Sequence, residues 1–174
     1  TGGGSGIGRE LALQLASEGC HLALGDVSQE AMVETRALCE AVASRNQRIT
    51  THPVDVSDEA QVLRFQEEVT TQQGTTSINL LFNNAGIGGG GSMFSQSREL
   101  WEKTFNICWG GVYLCTRAFL PMLAASKEGH LINISSINGF WATLGPNVPH
   151  TAYSAAKFAV KGFTEALIND LRIH

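Results

Sequence analysis

The chain has 174 residues, of which 43% are hydrophobic, and a formal net charge of −4. This length favours a single domain, and the apolar fraction is sufficient for a hydrophobic core. The negative charge argues against nucleic acid or an anionic membrane as a partner, because both reward clustered Lys and Arg. There is no run of about 18 apolar residues and no basic segment followed by an apolar stretch at the start, so neither a membrane span nor a signal peptide is predicted.

The four cysteines are too scattered for a CxxC metal or redox motif, and no metal site is predicted. Each lies within an apolar segment, which favours buried free thiols in a reducing compartment. We therefore expect a cytoplasmic protein. The residues concerned are Cys20, Cys39, Cys108 and Cys115.

Helical and strand patterns alternate along the chain, which predicts an α/β fold with a doubly wound parallel sheet. Strands are predicted near residues 20–26, 49–54, 78–82 and 130–136. Helices are predicted from the N-terminal glycine cluster to Gly19, from an N-cap at Ser28 to about Arg45, from an N-cap at Ser57 to Gly74, over 98–125 with an end or bend near Pro121, and from about Ala152 to Ile173. Residues 86–91 and 137–151 are predicted loops.

The first eight residues form a glycine cluster that opens a helix, in which Ile7, Leu11 and Leu15 follow helical spacing. Gly2, Gly6 and Gly8 fit a turn whose bare backbone and positive helix end accept a pyrophosphate. Such a turn needs positive φ angles and close backbone approach, which side chains would obstruct. Alone, the cluster could equally be a plain loop.

Asp26 lies 18 positions beyond Gly8, at the end of the second predicted element, where a carboxylate can accept hydrogen bonds from both adenosine ribose hydroxyls. The 2′-phosphate of NADP would bring a like charge to about 4 Å, at a cost of roughly 1–4 kcal/mol per unit charge. NAD is therefore the predicted cofactor, with NADP disfavoured. A turn residue before a capped helix is the alternative interpretation of Asp26.

Tyr153 and Lys157 are four residues apart, so on a helix they share one face. A free phenol loses its proton only near pH 10, too high for a base at neutral pH. An ammonium about 4 Å away favours the phenolate by roughly 4 kcal/mol at an effective dielectric of 20. Such a pair can act as general base towards an alcohol and as general acid in the reverse direction.

The glycine turn and the segment Tyr153-Ser154-Ala155-Ala156-Lys157 together resemble the classical short-chain dehydrogenase/reductase family, and the resemblance runs almost unbroken along the chain. It implies a Rossmann fold and an NAD(P)-dependent oxidoreductase that interconverts a secondary alcohol and a carbonyl. The implied catalytic residues are Asn106, Ser136 (with Ser135 as the alternative), Tyr153 and Lys157. The backbone carbonyl of Asn106 would hold a water that contacts Lys157.

The same resemblance implies the cofactor site. Asp55 and Val56 match the family's adenine side, although Asp55 could also be an ordinary strand-end residue. Asn83-Asn84-Ala85-Gly86 matches a family signature that follows the fourth strand. The implied cofactor-binding set is Gly2, Ser5, Gly6, Ile7, Gly8, Asp26, Asp55, Val56, Asn83, Ala85, Gly86, Tyr153 and Lys157.

The family pattern also implies that residues 1–174 are part of one longer domain. A first strand would lie between the strands near 20–26 and 78–83, and further strands would follow the last helix. Self-association through the helices near 104–124 and 152–171 is implied as well, as a homodimer or homotetramer.

The segment before Tyr153 is predicted to line a pocket for a substrate with an apolar body. The apolar residues that favour this are Phe140, Trp141, Leu144 and Pro146; His150 is predicted to be a polar loop residue. Two other functions stay open: an extended family member that acts as an epimerase or dehydratase, and a non-catalytic dinucleotide-sensing protein.

Overall fold

The structure is a computed structural model that describes residues 1–89, 91–143, 145 and 147–173. Helices and strands alternate, as the sequence pattern predicts. The elements are α1 Gly6–Ser17, β1 Leu22–Asp26, α2 Gln29–Val42, β2 Ile49–Pro53, α3 Glu59–Gln73, β3 Leu80–Asn83, α4 Arg98–Phe105, a π-helical turn Asn106–Gly110, α5 Gly111–Ala124, β4 His130–Asn133, a 3₁₀ turn Ile137–Gly139 and α6 Thr151–Ile173.

All four strands are parallel to their neighbours, in two pairs. β1 pairs with β2, with Leu22 opposite Ile49, and β3 pairs with β4, with Leu80 opposite His130. A cavity of about 500 Å³ separates the two pairs and is lined by residues of both β1 and β3. This is the place where the sequence analysis expects the first strand.

The core has one part on each side of that cavity. One part joins α1 and α2 to β1 and β2 around Met32, which is fully buried. The other joins α3 and α5 to β3 around Phe65 and Phe119, whose rings meet edge to face at 5.2 Å. Because strands alternate with covering helices, the carboxyl ends of the four strands meet at one edge of the molecule.

The orientation of α1 differs from the one its leucine spacing indicates. Its buried residues are Gly8, Ala12 and Ala16, whereas the Ile7 side chain is 64% exposed. The buried face is thus shifted by one residue, which is about 100° on a helix. The physical reason is that the glycine turn brings the helix start close to β1, and only small side chains fit there.

The caps of α2 and α3 show one confirmed prediction and one wrong one. Ser28 caps α2 by accepting from Ala31 N at 3.2 Å. Asp58, not Ser57, caps α3, since its carboxylate accepts from Gln61 N at 3.1 Å. Ser57 is occupied otherwise, because its hydroxyl donates to the Asp55 carboxylate at 2.6 Å.

Pro121 lies in the last turn of α5, which ends three residues later at Ala124, close to the predicted end. The irregularity of the long helical stretch occurs earlier, at the π-helical turn. By length and composition, residues Arg98–Ala124 could cross a membrane. In this fold, however, the α5 part of the stretch packs on α3 and β3 and buries Val112, Cys115 and Phe119.

The prediction of free thiols is confirmed. Cys39, Cys108 and Cys115 are buried and Cys20 is half-buried, and all four are unpaired. Burial raises the pKa of the Cys115 thiol to about 11. That thiol is therefore a packing group rather than a nucleophile.

Candidate active site

Each of the three motif glycines is required for a different reason. Gly2 has φ +68°, a left-handed conformation, and Gly6 has φ +53° with open space where a Cβ would lie. Gly8 has no room at all: an added Cβ would collide with the carbonyl of Gly2. Gly2 and Gly8 thus set the tight turn, and Gly6 presents bare backbone at the start of α1. Ser5 and Ile7 flank it and are exposed.

Asp26 stands beside this turn, at the end of β1. Its Oδ2 accepts from Gly4 N at 2.9 Å and its Oδ1 accepts from Ser28 N at 2.9 Å. These bonds fix the carboxylate at the carboxyl end of the strand, next to the start of α1. A carboxylate has about four acceptor positions, so both oxygens can still accept from a ligand.

The segment after β3 attaches the glycine turn to the other half of the molecule. Asn84 Nδ2 donates to the Thr1 carbonyl at 3.0 Å, and the Thr1 hydroxyl accepts from the main-chain N–H groups of Asn84 and Ala85 at 3.1 and 3.0 Å. Asn84 was not predicted as an individual site residue, and its place directly after a strand was the available signal.

The Asn83 side chain lies in the interior of the fold, so a contact with the cofactor stays a prediction for its main chain. Its side chain is 2% exposed and donates to Thr116 Oγ1 at 2.9 Å and to Asn133 Oδ1 at 2.8 Å. The alternation of a strand explains this, because successive side chains point to opposite faces. Asn83 ties β3 to α5 and β4, and Ala85 and Gly86 remain the segment that faces the turn.

Asp55 and Val56 have mainly local roles in the structure. Asp55 Oδ1 accepts from both Ser57 N and Ser57 Oγ, which forms a turn that leads into α3. Val56 is 5% exposed and packs against Gly111, so only its main chain can reach a cofactor. The contacts of Asp55 are those of a strand-end turn, and the contacts of Asp55 and of the Val56 main chain with a cofactor stay predictions.

Tyr153 and Lys157 lie on the same face of α6, as their spacing predicts. The Lys157 ammonium is 5.5 Å from the centre of the Tyr153 ring and donates to the Ile134 carbonyl at 2.7 Å. Lys157 is 3% exposed, and this burial lowers the pKa of its ammonium, an effect that the neighbouring Cys108 opposes. The cation is therefore held beside the phenol by a carbonyl of the adjacent strand end.

The two serines after β4 are engaged differently. Ser135 donates its hydroxyl to the Lys157 carbonyl at 3.0 Å. Ser136 accepts from Asn138 N at 3.2 Å and caps the 3₁₀ turn, so its hydroxyl proton can still be donated to a ligand. This arrangement favours Ser136 over Ser135 as the substrate-binding hydroxyl.

Asn106 begins the π-helical turn that precedes α5. The residue is exposed, and its carbonyl accepts from Gly111 N within that turn. Cys108, two residues on, is fully buried. The predicted role of Asn106 concerns a water on its backbone carbonyl, and it stays a prediction.

Cys108 is bound to the loop that approaches Lys157. Its Sγ accepts from Ile87 N at 3.4 Å and donates to Ile87 O at 3.3 Å. A Cβ built on Gly86 would lie 3.6 Å from Cys108 Sγ and 3.9 Å from Lys157 Nζ. Cys108 is thus the residue of this helix that positions Gly86 and Ile87 against the Tyr–Lys pair.

We expect Cys108→Ala to lower kcat/KM about fivefold to tenfold, because two hydrogen bonds of roughly 1 kcal/mol or less each are lost next to Lys157. Asn106→Ala is the matched control and should change kcat/KM less than twofold. Steady-state kinetics on both variants tests the assignment. Asn106→Ala keeps the backbone carbonyl and so leaves its predicted role intact. A loss in this variant as large as that in Cys108→Ala would contradict the positioning role of Cys108.

The loop before α6 exposes aromatic side chains near this site. Phe140 and Trp141 are 63% and 68% exposed, and the Lys161 ammonium lies 5.3 Å from the Phe140 ring centre. His150 lies beside Tyr153, with ring centres 6.4 Å apart. Leu144 and Pro146, which were predicted to belong to the same pocket, lie outside the described residues.

One edge of the fold therefore carries a glycine turn, a strand-end carboxylate and a Tyr–Lys pair whose ammonium is buried, joined by Asn84, Ala85 and Gly86. These features define the class of dinucleotide-binding α/β domains. The protein-family model described as short chain dehydrogenase matches residues 1–174. The chain belongs to that family, as the sequence motifs predicted, and its fold is the family's Rossmann fold.

Three similar proteins illustrate the relationship. Epidermal retinol dehydrogenase 2 of Mus musculus is 38% identical over 167 residues, which cover 96% of this chain and 52% of the relative. A short-chain dehydrogenase/reductase from Burkholderia phymatum, solved with NAD, is 34% identical with a TM-score of 0.87, over 98% of this chain and 58% of that one. A metagenomic short-chain oxidoreductase, solved with NADP, is 29% identical with a TM-score of 0.85, over 99% of this chain and 74% of that one. The chain spans about half the length of the retinol dehydrogenase.

The described residues fit a dinucleotide. No atom lies within 4 Å of the Cβ position of Gly6, so its backbone is accessible at the start of a helix. The tight turn beside it depends on Gly8, where a Cβ would collide with the Gly2 carbonyl. The Asp26 carboxylate stands next to it. Backbone amides at a helix start accept phosphate groups, and the carboxylate accepts hydroxyl groups.

Proposed function

We propose that the protein is an NAD-preferring oxidoreductase that interconverts a secondary alcohol and a carbonyl. One observation carries the proposal: the Lys157 ammonium lies 5.5 Å from the Tyr153 ring and borders Gly86, which lies in the loop bound to the glycine turn. A proton-transfer group and a dinucleotide turn are thereby joined at one edge of the fold. Membership of the family supports the same conclusion.

Residues of the chain itself transfer the proton. In alcohol oxidation, Tyr153 Oη as the phenolate accepts the hydroxyl proton, and in carbonyl reduction the same oxygen returns it. Lys157 stabilises the phenolate by its charge, and its bond to the Ile134 carbonyl fixes the ammonium in place. Ser136 donates its hydroxyl to the substrate oxygen and so orients it.

Binding of the cofactor would depend on the glycine turn and Asp26. The amides near Gly6 would hold the pyrophosphate and Asp26 would accept from the adenosine ribose hydroxyls. The nicotinamide, when bound, supplies the group that accepts or donates the hydride. A 2′-phosphate would face the Asp26 carboxylate, and this repulsion supports a preference for NAD.

The substrate is proposed to have an apolar body. Ile137, Phe140 and Trp141 follow Ser136 directly and are 59–68% exposed, so apolar surface adjoins the reacting group. The retinol dehydrogenase named above acts, by its name, on an apolar alcohol, which supports this substrate class.

A substrate panel on the full-length protein tests the proposal. We expect NADH formation from secondary alcohols with long apolar chains or rings, faster than from sugar alcohols, and a higher kcat/KM with NAD than with NADP. Absorbance at 340 nm measures both. Dinucleotide binding without turnover would favour the sensing alternative, and a preference for NADP would contradict the role of Asp26.

A further inference from the structure

Arg9 binds the rear of the glycine turn. Its Nε and Nη2 donate to the Gly4 carbonyl at 3.2 and 2.8 Å, and the hydroxyl of Thr35 donates to the same oxygen at 3.1 Å. Thr35 is fully buried in α2, and Arg9 Nε also donates to it at 3.0 Å. The Gly4 carbonyl is therefore held by a cation and a buried hydroxyl.

Glu34, next to Thr35 on α2, forms an ion pair with the Arg9 guanidinium. Its Oε2 lies 2.7 Å from Arg9 Nη2. The Arg9 side chain is 21% exposed, whereas that of Glu34 is 63% exposed, so the pair lies at the surface of the cofactor side. Arg9 Nε and Nη2 are thus directed to Gly4, Thr35 and Glu34, behind the turn.

Asp26 holds the same glycine from the other direction, since its Oδ2 accepts from Gly4 N at 2.9 Å. The Asp26 carboxylate and the Arg9 guanidinium therefore bind the same residue, Gly4, one at its N–H group and the other at its carbonyl oxygen. A phosphate next to the Asp26 carboxylate would lie roughly 8 Å from the guanidinium, a separation over which a charge still acts at ordinary salt. The charge of Arg9 would therefore favour binding of a phosphate at this position, such as the 2′-phosphate of NADP.

We propose that Glu34 is a specificity-determining residue that keeps Arg9 from favouring NADP. The carboxylate of Glu34 cancels the Arg9 charge and holds the guanidinium on Gly4 and Thr35, so that Asp26 alone determines the potential at the ribose. The inference rests on the proposed function, because it concerns the choice between NAD and NADP at that site.

Titration of the full-length protein with NADH and NADPH tests this inference, with Glu34→Gln as the variant. Because only NADPH carries the 2′-phosphate, the ratio of Kd for NADPH to Kd for NADH should fall about threefold to tenfold, for a charge about 8 Å away in a partly exposed site. The fall should shrink in 0.5 M salt, where charges are screened within about 4 Å.

Glu40→Gln is the matched control. Glu40 lies on the same helix in a comparable surface pair with Arg36 at 2.6 Å, and the substitution changes the net charge equally. The Kd ratio of Glu40→Gln should stay within twofold of wild type. The double variant Arg9→Gln/Glu34→Gln should lose the gain that Glu34→Gln shows, since the cation itself is then absent.

An unaltered ratio in Glu34→Gln, an equal fall in Glu40→Gln, or a gain that persists without Arg9 would each overturn the inference. If the double variant does not fold, the comparison of Glu34→Gln with Glu40→Gln decides alone. A wild-type protein that binds neither NADH nor NADPH would instead overturn the proposed function.

Discussion

Replacement of Tyr153 by Phe should reduce kcat for secondary alcohols by about a thousandfold or more, while NAD binding persists. The phenylalanine ring keeps the packing near Lys157, whose ammonium lies 5.5 Å from the ring centre. The hydroxyl oxygen that accepts the substrate proton is lost, and general acid–base catalysis of this kind contributes roughly 10²–10⁴ in rate. Loss of the alcohol's hydrogen-bond partner adds to that effect.

Tyr113→Phe is a matched control, because the chain has two tyrosines and the other lies on α5. Its ring is 41% exposed and neighbours Trp109, away from the strand ends. Steady-state turnover and NADH titration on both variants separate catalysis from binding. Equal turnover in wild type and Tyr153→Phe would end the catalytic assignment, and a comparable loss in Tyr113→Phe would indicate a structural effect.

The Tyr153–Lys157 pair could be predicted from the sequence because its geometry is local. Four residues on one regular helix share a face whatever the rest of the fold does, and α6 is regular through this region. The fold class could be predicted for a related reason, since alternation of strand and helix patterns depends on neighbouring residues alone. Strand positions agreed to within a few residues.

Asn106 could not be placed in the same way, because its orientation depends on an irregular helix. The π-helical turn Asn106–Gly110 adds a residue to one turn, so the face of each side chain there is set by the local hydrogen bonds. A regular period cannot indicate that Cys108 is the buried residue of this turn. The carbonyl of Asn106, to which the family pattern assigns a role, accepts from Gly111 N in the same turn.

The roles of Asn83 and Asn84 were likewise beyond sequence analysis. The motif shows two adjacent asparagines, but adjacent strand residues point to opposite faces, and the three-dimensional fold decides which side chain faces the glycine turn. The structure directs Asn83 into α5 and β4, and Asn84 to Thr1 and Gly2. Arg9 and Glu34 are similar: they lie 25 residues apart in sequence, their ion pair joins α1 to α2, and no local pattern indicates it.

Substitution of Gly8 by Ala should abolish dinucleotide binding and destabilise the fold. An added Cβ collides with the carbonyl of Gly2 and would lie 2.8 Å from Asn84 Nδ2. The Gly2 carbonyl is backbone of the turn itself, so it can move only if the turn opens and its bond to Asn84 breaks. We expect NAD affinity to fall at least about a hundredfold, and the free energy of unfolding by roughly 2–4 kcal/mol, typical of overpacking with backbone strain.

Gly162→Ala is the same substitution at another position, where the structure predicts an increase in the free energy of unfolding instead of a decrease. Gly162 lies in α6 with no atom within 4 Å of its Cβ position, so alanine should raise the free energy of unfolding by about 0.5–1 kcal/mol through helix propensity. Urea unfolding and NADH titration of both variants give the comparison. If Gly8→Ala binds NADH as tightly as Gly162→Ala does, the cofactor does not lie against this turn, since a turn forced open could not leave a neighbouring pyrophosphate undisturbed.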